Sequence, residues 1–138
     1  MIKNMDKKKI TLIALVLVVV FAILAVVLPY TIGRFLGNIF TITSITVFML
    51  TMNNAINKLG THLSYRHPNL LKENSTQVGN KGFRLKPYSI YKNRKDFYAK
   101  NDAEVTRLVD LAIRSFFLNL WIFPALFIIS MLVVMVTT

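Results

Sequence analysis

The chain has 138 residues, 54% hydrophobic and 17% charged, with 17 Lys and Arg against 6 Asp and Glu. This balance, with a mean hydropathy of +0.52, excludes a large soluble enzyme and points to a membrane protein whose polar part is marginal as an independent domain. The cysteine count is 0, which excludes disulfide frameworks, thiolate nucleophiles and cysteine metal centres.

A basic tail, residues 1–9, carries Lys3, Lys7, Lys8 and Lys9 and precedes a first apolar run, 10–28. These 19 uncharged residues suffice to cross a hydrocarbon core of about 30 Å at about 1.5 Å per helical residue. The run is almost entirely Val, Leu, Ile and Ala, so it reads as an anchor that meets lipid on every side and ends at Pro29. Leu28-Pro29-Tyr30 lacks the small-residue cleavage pattern of a secretory signal, and the anchor is expected to be retained. A short external hairpin, 29–34, holds a single charge, Arg34, before the second run, 35–52.

The second run is more polar. Gly33, Gly37 and Thr41 recur every four residues and Ser44 extends the same small face, which lets helix backbones approach closely in lipid. These four are the expected helix-packing residues. Packing within the chain is the first expectation, and self-association or a membrane-protein partner the others. Beyond Met52 the apolar face continues through Ala55, Ile56 and Leu59, so the helix is predicted to leave the membrane and stop at Gly60.

Residues 53–114 form a basic loop with twelve Lys and Arg. His62 and His67 stand five apart, about 140° round a helix, with no cysteine and Glu73 as the nearest acid; no metal and no cofactor is expected. Gly79-Asn80-Lys81-Gly82 has neither the preceding strand nor the following helix of a phosphate-binding loop and reads as a turn or mobile loop before the extended Phe83-Arg84-Leu85-Lys86-Pro87. Asn74-Ser75-Thr76 matches a glycosylation sequon, but on the side expected to face the cytosol.

From Lys81 to Lys100 there are seven basic residues and one acid, Asp96, interleaved with Phe83, Tyr88, Tyr91, Phe97 and Tyr98. Basic residues with aromatic rings suit single-stranded nucleic acid or an anionic bilayer. A segment tethered between two spans meets lipid first, so anionic headgroups are the expected contact and nucleic acid is not. Arg84, Lys86, Lys92, Arg94 and Lys95 are the expected lipid- or partner-facing residues.

An amphipathic helix is predicted over 101–114. Asn101 and Glu104 have the spacing of a reciprocal N-terminal cap, and Val105, Leu108, Val109 and Ala112 share one face. On the other face, Arg107–Asp110 and Asp110–Arg114 are spaced for ion pairs. No breaker separates this helix from the third run, 115–136, where Pro124 is expected to introduce a kink. The predicted fold class is therefore all-α: an integral membrane protein with three transmembrane helices, a basic cytosolic loop and an amphipathic helix continuous with the third span. Retention of basic residues on the cytoplasmic side places the N-terminus and residues 53–114 inside, with the C-terminus periplasmic.

Tyr91, Arg94, Asp102, Glu104, Arg107, Asp110, Arg114, Phe117 and Leu118, leading into a C-terminal span, resemble the corresponding stretch of the universal stress protein B family of small bacterial inner-membrane proteins. The resemblance runs from about Arg84 to the C-terminus and, in architecture alone, takes in the second span; the first span is an addition to that family's two-span plan. It implies a bacterial inner membrane, a cytosolic loop and a stress-related role, without an active site. The expected function is a non-catalytic accessory or scaffold protein. The alternatives are a holin-like pore former, which fits the size and span count, or a small subunit of a transporter, although the three runs lack the ionisable groups that ion pathways need.

Overall fold

The computed structural model describes residues 5–28, 30–80 and 82–137. In chain order, α1 spans Lys7–Val27, α2 Tyr30–Arg66, α3 Pro68–Glu73, β1 Ser75–Gln77, β2 Phe83–Leu85, α4 Pro87–Lys92, α5 Arg94–Tyr98 and α6 Ala103–Thr137. Among the described residues, three helices, α1, α2 and α6, are long and apolar enough to cross a membrane, with candidate spans over Lys7–Val27, Phe35–Arg66 and Ala103–Leu132. The expectations for Lys3, Pro29 and Lys81 lie outside the described residues, as do those for the surroundings of Gly33 and Arg34.

Asp6 caps α1, accepting a hydrogen bond from the Lys9 amide at 2.9 Å. Ile10, Ala14 and Phe21 are buried, and half-buried Leu17 completes a stripe at helical spacing. The first run therefore does not meet lipid on every side. Its outward residues, such as Val26 and Val27, each 72% exposed, keep the apolar character that lipid requires.

The second helix is longer at both ends than its sequence signals. Tyr30 already belongs to α2, so most of the expected hairpin 29–34 is helix. At the other end Gly60 does not stop it. A mid-helix glycine costs about 1 kcal/mol, whereas Leu59 and Leu63, both 0% exposed, bury on either side of it, and that burial outweighs the backbone penalty. The helix ends where His67 precedes Pro68, since a residue before proline is driven out of the helical region.

The two strands β1 and β2 form an antiparallel hairpin, with Ser75 opposite Leu85, Thr76 opposite Arg84 and Gln77 opposite Phe83. Its turn uses glycines at positive φ, Gly79 at 57° and Gly82 at 136°. Among the described residues, regular secondary structure is helical apart from this two-stranded ribbon.

Asn101 does not cap α6. Its φ of 51° lies in the left-handed region, which a short polar side chain tolerates and which is unlike the extended conformation of an N-cap. The cap falls instead on Asp102, whose Oδ1 accepts from the amides of Glu104 at 3.0 Å and Val105 at 3.3 Å. From Ala103, α6 runs unbroken past Pro124 to Thr137.

The C-terminal half of α2, the segments from α3 to α5 and the first turns of α6 form a cap at one end of the three-helix bundle. Its core holds Leu59, Leu63, Ile90, Phe97, Val105, Leu108 and Val109, each at most 1% exposed.

Candidate functional site

The polar groups of the cap converge on the first turns of α6. Asp102 serves two roles with two oxygens: Oδ1 caps the helix, and Oδ2 lies 2.8 Å from His62 Nε2 and 3.5 Å from His67 Nε2. Its carboxyl is held down to about 2 from an ordinary 3.8, first by the His62 hydrogen bond, against burial, and further by the two amides it caps. The two histidines reach one carboxylate because His62 lies near the end of α2 and His67 lies past it, outside helical geometry. Among the described residues no group of three or more His, Cys, Asp or Glu is arranged to hold a metal ion. The triad fastens the end of α2 to the start of α6.

One turn on, the sequence-based pairings change. Arg107 pairs with Glu104 rather than Asp110, through Nε to Oε2 at 2.9 Å and Nη2 to Oε1 at 2.7 Å, and this fork lowers the Glu104 carboxyl. Its third nitrogen, Nη1, donates to the Met5 carbonyl at 2.8 Å. Asp110 accepts from Lys7 Nζ at 2.9 Å and from the Tyr98 hydroxyl at 2.5 Å. Burial, and then that hydrogen bond, push the Tyr98 phenol up to about 12. Sequence spacing along one helix could not reveal these partners, because Met5, Lys7 and Tyr98 arrive from other segments.

Asn74, first residue of the sequon, is 2% exposed and inaccessible to a modifying enzyme. Its Nδ2 donates to the Leu70 carbonyl at 3.0 Å, its Oδ1 accepts from Asn93 at 2.8 Å, and its backbone carbonyl accepts from the Lys86 amide at 3.1 Å. It fixes the hairpin against α3 and the junction of α4 with α5.

The five basic residues singled out in the loop do not form one patch. Leu85 of β2 packs near Gly60, eight residues or about 12 Å along α2 from Met52, so neighbouring Arg84 and Lys86, both exposed, lie well away from the apolar run. At the junction of α4 and α5, Tyr91 meets the ring of Phe117 edge-on, with centroids 5.4 Å apart, near the start of the third run. Arg94 stacks over Tyr91 at 4.8 Å and donates to its carbonyl at 3.0 Å. Lys92 and Lys95 are exposed beside it, as is Tyr88, 70% open to the surroundings.

The small-residue face of α2 meets α1. A Cβ added at Gly37 would stand 3.0 Å from Phe21 Cε2 and 3.3 Å from Cζ, and the Phe21 ring also contacts Phe40 at a centroid distance of 5.9 Å. Thr41 donates to the Gly37 carbonyl of its own helix at 2.9 Å. Ser44 is 1% exposed, and its hydroxyl has no hydrogen-bond partner among the described residues. Phe21 carried no sequence signal of its own, being one aromatic in an aliphatic run. Compared with family models, curated proteins and solved structures, the chain finds no match in any of the three.

Proposed function

We propose that the protein is a non-catalytic accessory or scaffold protein of a bacterial inner membrane, with its N-terminus and cap in the cytoplasm, its C-terminus in the periplasm and a stress-related role. The bundle places the cap, and the basic surface of α4 and α5 engages anionic headgroups. One observation carries this reading: Tyr91 packs on Phe117, which holds exposed Lys92 and Lys95 and the Arg94 stack near the inner end of an apolar span. Cations held at that level gain about 1 kcal/mol each beside an anionic leaflet, and exposed tyrosines suit the headgroup region. The universal stress protein B resemblance supports the compartment and the stress-related role.

The native chain has no cysteine, so a probe can be placed at one site. A polarity-sensitive fluorophore on Tyr88→Cys is expected to shift to the blue in nanodiscs of anionic lipid and not in zwitterionic ones, with added salt reversing the shift. The substitutions Lys92→Gln, Arg94→Gln and Lys95→Gln should remove the effect, whereas Arg84→Gln and Lys86→Gln should change it little. Equal emission in both lipids would overturn the lipid assignment. Labelling of Thr76→Cys from the cytoplasmic side alone is the matching test of orientation; labelling from the periplasm would invert it.

A further inference from the structure

An amide stands on the outward face of α2 where lipid has nothing to offer it. Asn38 is exposed and makes no side-chain hydrogen bond among the described residues. Its neighbour Gly37 lies beneath the ring of Phe21, and Phe21 is six residues, about 9 Å, short of Val27 at the end of α1. An asparagine side chain is too short to reach headgroups over that distance. Unpaired amide donors and acceptors in hydrocarbon are strongly unfavourable.

Asn38 also belongs to a regular seam. Phe35, Asn38, Ile42, Ile45 and Met49 follow alternating steps of three and four residues, the 3.5-residue repeat of left-handed helix pairs. Phe35, Ile42 and Met49 are 67%, 66% and 47% exposed. Gly37 and Ser44, in contrast, face the interior of the bundle, and Ile45, half-buried against the core, marks the edge where the seam borders that interior.

We infer that this seam joins two copies of the chain, pairing α2 with α2 through Asn38. The inference deepens the scaffold reading and rests on it for insertion in a membrane. Copies inserted by the same route share one orientation, so their α2 helices run parallel and each residue meets its counterpart at equal depth. A two-fold axis along the membrane normal then brings Asn38 to Asn38. The amide is complementary to itself: each Nδ2 donates to the other Oδ1, and both groups are satisfied without any other sequence. A different protein would need its own polar group at this depth, whereas a second copy brings one by symmetry.

Single cysteines in the full chain, oxidised in native membranes, test the seam. Phe35→Cys, Ile42→Cys and Met49→Cys should give covalent dimers. Thr43→Cys and Val47→Cys, at similar depths but about 120° and about 160° round the helix from the middle of the seam, should stay monomeric. In mild detergent, light scattering should show the dimer fraction falling at least tenfold for Asn38→Leu and persisting for Asn38→Gln, with helix content by circular dichroism unchanged in both. Four results would overturn the inference: no dimers from the seam positions, equal cross-linking on both faces, adducts only with the mass of another protein, or an Asn38→Leu dimer fraction equal to wild type. The fluorophore experiment at Tyr88 reads a different surface, so failure of the seam leaves the lipid assignment standing.

Discussion

The bundle of long apolar helices and the cap are held together by different means. In the cap, Asn74, Asp102 and Asp110 each bind at least two other groups, around a core whose central side chains are closed off from solvent. Among the described residues the buried oxygens without a hydrogen-bond partner lie mostly in the bundle, at Ser44, Ser115 and Asn119, with the Ser75 hydroxyl in the cap, and in the bundle large apolar side chains such as Leu12, Phe35 and Phe127 face outward. Water drives the cap to bury its apolar groups. Lipid would give no such force between helices, so a bundle in a membrane, as proposed here, depends on close fit, and a small change in shape there does what the loss of a buried ring does in the cap.

The largest effect is expected from Phe97→Ala, which empties a fully buried ring site in the cap and should cost about 3–5 kcal/mol. Hydrogen exchange of the full chain in detergent should show protection lost over the cap and kept in the spans. Equal loss in both halves would mean one cooperative unit, and the contrast drawn here would collapse.

Gly37→Leu sharpens the other side of the comparison. The added side chain meets the Phe21 ring at its first carbon, so overpacking of about 1–3 kcal/mol is expected, read as lower thermal stability in detergent. Ala22→Leu should cost less, and Phe21→Ala added to Gly37→Leu should restore part of the loss. If Gly37→Leu and Ala22→Leu behave alike, fit at this face is incidental.

The smallest effect concerns acid. The Asp102 carboxyl is lowered in the fold to about 2 from 3.8. A lowered carboxylate contributes stability above its unfolded value, and that contribution is lost as pH falls through the folded value. Wild-type cap stability should therefore decline between about pH 3.8 and about pH 2, and Asp102→Asn, less stable at neutral pH, should show a shallower decline over that window. Identical slopes would remove Asp102 as a fastening between α2 and α6.

What the sequence disclosed followed the same division. Long uncharged runs need only counting, and α1, α2 and α6 fall where the apolar residues accumulate. The face formed by Val105, Leu108, Val109 and Ala112 is equally direct, since period alone marks it. Contacts between segments far apart in the chain were hidden: Asp110 looked matched to Arg107 and Arg114 at helical spacing, yet its partners are Lys7 and Tyr98. His62 and His67 lacked an acid nearby in sequence, and the one they meet lies 40 residues beyond His62. Gly60 carried a stop signal that neighbouring leucines override, and Asn101 a cap signal that its own backbone conformation denies.

Unbroken helices also have a mechanical consequence. At 37 residues, α2 is a rod of about 55 Å, and α6 enters the cap from the bundle with no interruption between Ala103 and Pro124. Spans tilt when bilayer thickness changes. With two rigid shafts fixed in one core and the sole proline of α6 in its C-terminal half, bending at Pro124 redirects the far end, whereas tilt of the segments nearer the cap turns the cap through the same angle, carrying Lys92 and Lys95 with it as one lever.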